Sequence, residues 1–325
     1  MLRAIFALAL VGLGVAAFAG WTLLKSFDAA GPSTRESHLV VERGETPAGI
    51  AARLEREGVI EDALALRLLV RLESAGGRIR AGEFLVPAGA SPRDILTLLT
   101  EGPTVARKFT VPEGATTREA LAIVAAAEGL TGELPKNLPE GALLPETYHY
   151  ALNDAREDVV ARMQRAMAAA VAEAMAALQE DHPVKTPLEL ATLASIIEKE
   201  TAMADERPRV AAVFVNRLRR GMLLQSDPTT IYALTRGQKR LGRSLTYKDL
   251  RVDDPYNTYV SPGLPPGPIA SPGKAALLAA ANPASTTDLY FVADGTGGHA
   301  FAKTLAEHNR NVRAWRKVQR KAKQQ

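Results

Sequence analysis

The pattern of apolar positions opens with an uncharged run from Ala4 to Leu24. At 1.5 Å per helical residue its roughly 21 residues reach about 31 Å, the thickness of a bilayer core. A membrane-spanning helix over 1–27 is therefore predicted, with a cytoplasmic amino terminus, because Arg3 precedes the run and Trp21 sits near its far interface. Ala17-Phe18-Ala19 offers the competing reading of a cleavable signal peptide, but hydrophobicity continues through Trp21, Leu23 and Leu24 and favours an uncleaved anchor. Under either reading the remainder is exported. Residues 28–37 read as a linker lifting the body off the bilayer, and 38–105 as a small βααβ unit. In that unit a strand over His38–Val41 and a turn at Gly44-Glu45-Thr46-Pro47 lead to helices carrying Ile50, Ala51 and Leu54 and then Ala63 to Leu72. A second strand over Gly82–Val86 closes it.

Residues 106–152 predict a second strand-turn-helix unit, with the strand and turn over Val111–Thr116 and the helix over Ala120–Ala125. From 153 to 315 the pattern becomes mainly helical. Asn153 or Asp154 is placed to cap a long alanine-rich helix reaching Leu178, and Thr186-Pro187-Leu188-Glu189 reads as a capping box with proline at the first helical position. At about 100° per residue, Leu193, Ile196 and Ile197 lie within roughly 60° of Glu200, whereas Glu198 points to the opposite side with Ala191 and Ala194. A further helix, capped by Asp205 with Pro208 in its first turn, ends at Gly221. The fold class is α+β: one transmembrane helix, a small βααβ subdomain, and a mixed helical and loop-rich domain.

Composition narrows the chemistry. The formal charge of +4 over 325 residues hides a basic tail over 316–325, and with Arg310 and Arg313 its seven cations leave the rest about three charges negative. No base-stacking aromatic run accompanies them, so nucleic acid is not expected as a partner. Without cysteine, and with five histidines at no metal-ligand spacing, a zinc site or thiol nucleophile is excluded, and no metal or cofactor is expected.

The remaining candidates are acids and sugar-contacting groups. A carboxyl group on an apolar stripe is hard to ionise, which suits Glu200 to general-acid work, with Glu198 as the fallback. The stretches Gln225-Ser226-Asp227-Pro228-Thr229, Tyr256-Asn257-Thr258-Tyr259 and Gly263-Leu264-Pro265-Pro266-Gly267 read as rigid loops rich in amides, hydroxyls and aromatic rings, the mixture of a carbohydrate groove. Gln225, Ser226, Asp227, Thr229, Tyr256, Asn257 and Tyr259 are the candidate substrate contacts, together with Tyr148 of LLPETYHY. Solvated helix-end charges and loop-shaping prolines are the plainer alternatives.

The strings LASIIEKETAMADERPRVAAVFVNRLRRGMLLQSDPTTIYAL, PYNTYVSPGLPPGPIASPG and LYFVADGTGGHAF resemble the endolytic murein transglycosylase (YceG-like) family. VVERGETPAGIAARL and IRAGEFLVPAGAS, within 38–105, resemble a LysM module. The family resemblance implies a single-pass inner-membrane enzyme with a periplasmic catalytic domain over 153–315. Such an enzyme cuts the MurNAc-GlcNAc bond of nascent glycan strands internally, leaves 1,6-anhydro-MurNAc ends, limits strand elongation and partners a penicillin-binding synthase. The same resemblance makes Glu200, of the EKET motif, the acid. Two rivals remain open: a non-catalytic wall-binding scaffold, and a lysozyme-like hydrolase pairing Glu200 with Asp227.

Overall fold

The computed structural model describes residues 2–322, so Met1 at the cytoplasmic end of the expected anchor and Lys323–Gln325 of the basic tail lie outside the described residues. The chain forms two compact units. The first runs to Arg107 and takes in Tyr150–Leu152, and the second holds Lys108–His149 and Asn153 onward.

In the first unit, helix α1 (Leu2–Asp28) is long and apolar enough over Leu10–Asp28 to cross a bilayer, judged by length and composition. Its side chains at Phe6, Leu10, Val11, Leu13, Val15, Phe18, Trp21 and Leu24 are exposed, which fits single-pass anchoring. Its last turn behaves differently, because Phe27 is buried among Leu39, Ile50, Leu66 and Phe84. The segment read as a linker makes contacts with the body. Arg93 pairs with Asp28 at 2.6 Å, Gly31 N–H donates to Gly89 C=O, and Gly89 N–H donates to Ser33 C=O. A Cβ on Gly31 would stand 2.3 Å from the Val59 carbonyl oxygen, so only glycine fits there.

Strand β1 (Ser37–Val41) pairs antiparallel with β2 (Gly82–Val86), with α2 (Pro47–Arg56) and α3 (Ala63–Leu72) between them in sequence. The βααβ order expected for this stretch is present. A third helix, α4 (Pro92–Thr100), follows β2 and buries Ile95, Leu96 and Leu99. Its start is written locally as a reciprocal cap between Ser91 and Asp94, with proline in the first turn.

The second unit is built around one buried helix. Strand β3 (Arg107–Thr110) pairs with β4 (Thr147–Tyr150), all but the end residues Arg107 and Tyr150 lying in this unit, and α5 (Thr117–Ala126) starts from a capping box between Thr116 and Glu119. Helices α6 (Arg156–Ala176), α7 (Pro187–Glu200) and α8 (Arg207–Arg219) then pack with α10 (Lys274–Ala281) around a common core. Every residue of α7 from Leu190 to Ile197 is buried, so Ala191 and Ala194 are core positions and not an outer face. Ala276, Ala279, Ala280 and Ala281 of α10 let the backbones approach closely, and the Ser195 hydroxyl accepts Ile269 N–H at 3.0 Å.

Two expected helix starts and one expected loop are corrected. Neither Asn153 nor Asp154 caps α6, whose N-cap is Ala155; Asn153 instead makes a turn with φ +68°. Asp205 does not cap α8 either: Glu206 is the N-cap, and its side chain goes to His299. Asp227 opens a helix, α9 (Asp227–Thr235), where a loop was expected, because Pro228 in its first turn favours helix entry. The hairpin of β5 (Tyr290–Ala293) and β6 (His299–Ala302) leads into α11 (Leu305–Ala322), which carries the basic residues of the tail as far as they are described.

Candidate active site

Glu200 is the last residue of α7 and opens into a pocket of about 420 Å3. Burial against apolar neighbours pushes its pKa up to about 7; the nearby negative charge of Asp227 adds to that rise, while a hydrogen bond from Ser226 and the charges of His299 and Arg217 oppose it. The partial negative charge at a helix C-terminus also disfavours the ionised form. The Ser226 hydroxyl donates to Glu200 Oε1 at 2.5 Å, which fixes the carboxyl rotamer. The neighbouring Gln225 holds a left-handed φ of +50°, and its backbone N–H donates to Thr258 C=O. A non-glycine residue held there is strained, and it delivers Gln225 to the pocket wall.

Asp227 lines the same pocket, and its Oδ1 accepts the Tyr259 hydroxyl at 2.6 Å. Burial raises the Tyr259 hydroxyl pKa, so the phenol stays a donor. The structure thus brings Glu200, Gln225, Asp227 and Tyr259 to one cavity, with Ser226 behind Glu200.

The other expected contacts are scaffold. Asn257 is buried with its amide fully used: Nδ2 donates to the carbonyls of Leu250 and Val252, and Oδ1 accepts from Thr230 and from Tyr259 N–H. It shapes the Tyr259 loop and has nothing left for a sugar. Thr229 is also buried, donating to Ser226 C=O at 2.6 Å and sharing a bond with the Thr258 hydroxyl at 2.8 Å. Ser226, 1% exposed, serves Glu200 and not a ligand. Tyr148 stacks on Phe109 and donates to Leu144 C=O at 2.8 Å, and burial pushes its pKa up to about 12. Tyr256 packs against Tyr232 and beneath Arg236, outside the Glu200 pocket.

Glu198 has a different setting from Glu200. Its Oε2 accepts Gly273 N–H at 2.9 Å and its Oε1 lies 3.4 Å from Arg207, which also reaches Glu113 at 3.2 Å. Burial raises its pKa, with the Glu113 charge adding to the rise; the Gly273 bond, Arg207 and Lys199 oppose it. It joins α7 to α8 and to the start of α10, and it does not line the pocket.

Sequence reasoning passed over Arg217 and Tyr290, whereas His299 and His308 read from the sequence as able to line the groove or cap local structure, with no proton-transfer role for either; His308 does line the pocket. Arg217 is buried, donates to the carbonyls of Leu289, Leu223 and Leu224, and lies 5.2 Å from the Tyr290 ring. It presents a fixed positive charge to the pocket without a carboxylate partner of its own among the described residues. His308 stacks on Tyr290 at 5.2 Å, and burial lowers its pKa, so the ring stays neutral near pH 7. His299 is held by Glu206 at 2.7 Å and is not a pocket-lining residue. Chemically, the cavity offers one carboxyl group able both to give and to take a proton near neutrality, a second acid engaged by a phenol, and aromatic surface from Tyr259, Tyr290 and Phe291.

The YceG-like family model matches residues 39–314. The protein named endolytic murein transglycosylase in Bacillus subtilis (strain 168) is 32% identical over 302 residues, covering 83% of this chain and 82% of that relative. A Streptococcus pneumoniae (serotype 2) protein of the same name is 36% identical over 179 residues, which span 53% of this chain but only 31% of that larger protein. The crystal structure of a YceG-like protein from Listeria monocytogenes matches with a TM-score of 0.54 at 31% identity, over 86% of this chain and 99% of the other. A match that begins in β1, ends in α11 and carries the whole Glu200 pocket within it makes this chain a member of the YceG-like family.

Proposed function

We propose that the chain is a lytic transglycosylase that cuts peptidoglycan glycan strands internally, with Glu200 as its single acid and base. The observation that carries this reading is the Glu200 carboxyl itself, pushed up to about 7 and oriented by Ser226 at 2.5 Å in a pocket lined by aromatic rings. Protonated, it donates to the oxygen between N-acetylmuramic acid and N-acetylglucosamine. Ionised by that transfer, it accepts the proton of the muramyl C6 hydroxyl, whose oxygen attacks C1 and closes a 1,6-anhydro ring. Atoms balance without water, and the nucleophile is already tethered to the sugar, so orientation replaces a second catalytic carboxylate. Hydrolysing glycosidases instead need a second acid free to activate water or attack the sugar. Asp227, engaged by Tyr259, is better placed to position a hydroxyl.

Anchored by α1 in the inner membrane with its catalytic unit outside the cytoplasm, the enzyme meets strands as they emerge and limits their elongation beside a penicillin-binding synthase. The βααβ segment is proposed to be a LysM-like glycan contact. The test is product mass. The full chain in detergent, incubated with un-nicked strands, should yield shorter strands whose new ends are one water lighter than hydrolytic ends. Hydrated ends would make it a hydrolase, and unshortened strands a binding scaffold.

A further inference from the structure

A larger groove, about 990 Å3, lies in the same unit and takes no part in the chemistry above. Its floor is apolar, from Ala122, Ile123, Ile231 and Ile269. One wall is α5 and the opposite wall is the loop after α9, and Arg118 ties them together by donating to the Gln238 carbonyl at 2.6 Å and to its side-chain oxygen at 2.9 Å. The charges are one-sided. Both groove carboxylates are committed, Glu113 to Arg207 and Glu119 to the α5 cap, where it accepts from Thr116 N–H and hydroxyl. Lys239 and Arg240 are exposed on the rim with no side-chain partner among the described residues. Lys199 Nζ gives one of its three donors to Gly114 C=O at 3.1 Å and keeps the others free.

The groove shares two elements with the Glu200 pocket. At the end of α7 consecutive side chains diverge by about 100°, so Lys199 enters the groove where Glu200 enters the pocket. At the start of α9, Asp227 lines the pocket while Pro228, Ile231 and Tyr232 line the groove.

Resting on the transglycosylase reading, we infer that this groove receives the short anionic peptide arm carried by the muramic acid residue whose bond is cut. Such an arm leaves the sugar at its lactyl group and presents several carboxylates along an extended backbone. Five extended residues reach about 17 Å, and the two cavities are lined by adjacent residues, Lys199 and Glu200 on α7 and Pro228 and Asp227 on α9. Free cations above an apolar floor complement carboxylates spaced by small alkyl side chains. The groove therefore acts as a specificity site, selecting strands that still carry peptides over strands already stripped of them.

The test compares cleavage by the full chain of peptide-bearing strands and of the same strands after amidase removal of the peptides. The ratio of kcat/KM values, peptide-bearing over stripped, should exceed about ten for the native protein and fall as salt rises. It should drop about threefold in Lys239→Ala/Arg240→Ala and about tenfold in Lys239→Glu/Arg240→Glu. Calorimetric titration with the isolated peptide arm should show binding that weakens in the same order. A ratio unaltered by both variants, or no calorimetric binding to the native protein, would overturn the inference. If the native protein cuts neither strand, the transglycosylase reading fails, and the titration alone then decides the groove.

Discussion

Glu198 and Glu200 stand two residues apart on one helix and differ in what meets their oxygens. Around Glu198, Arg207 and the Gly273 N–H absorb both oxygens, so the group is a joint between helices. Around Glu200 a single hydroxyl donor orients the group, Arg217 spends its hydrogen bonds on carbonyls, and the carboxyl keeps its proton near pH 7. Both acids have raised pKa values through burial, yet only one faces a cavity. A raised pKa thus singles out an acid only when its partners leave it an open side.

The strongest way to break this contrast is Glu200→Gln, which should lower strand cleavage by about 10³-fold while leaving strand binding in place. The same change has a signed effect on stability. The folded carboxyl holds its proton up to about 7, against 4.5 ordinarily, so the stability it contributes is fully present below about 4.5 and lost as pH rises through 7. In thermal melts the variant and native protein should match near pH 4, and the variant should be more stable at pH 8 by on the order of 2–3 kcal/mol.

Glu198→Ala should do the reverse. Urea unfolding should show a loss of about 2 kcal/mol, because the Gly273 N–H loses its acceptor and Arg207 stays buried with only Glu113 to meet it, while the cleavage rate of the folded variant remains within about threefold of native. Equal losses of activity in both variants would erase the distinction between the two acids.

Smaller changes sharpen it. Ser226→Ala removes the donor that favours the carboxylate, so the alkaline limb of the pH–rate profile, expected near 7, should move to higher pH, with a rate loss of about tenfold from the freed rotamer. Asp227→Asn removes a negative neighbour, so the limb should move to lower pH; the rate should fall about threefold and the ends should remain anhydro. A shift of both limbs in one direction would show that another group carries the titration.

The parts of this site that were legible in the sequence are those set by neighbours within a turn or two. The Thr186–Glu189 cap and the apolar stripe ending at Glu200 are local, and both are present. The βααβ order was legible for the same reason, since each helix follows its own capping residue, Thr46 or Asp62. Helix α4 was legible too, through Ser91-Pro92 and Asp94, and was passed over. What could not be read is how polar side chains divide their bonds between scaffold and cavity. Asn257 looked like a sugar contact by residue type, but it is consumed by Thr230 and by carbonyls that only the folded loop brings near. Arg217 drew no reading at all, because Leu289, 72 positions further on, supplies its acceptor. Asp227 read as a loop residue because a proline stood after it, where proline in fact marks the first turn of α9.

The burial of Phe27 has a mechanical meaning for the whole first unit. With that ring in the core, Asp28 clamped by Arg93 and Gly31 pressed on the Val59 carbonyl, there is no slack between α1 and the fold it precedes. If α1 is the bilayer anchor proposed above, the first unit is bolted to its mast, and a tilt of that helix in the lipid would tip the unit with it.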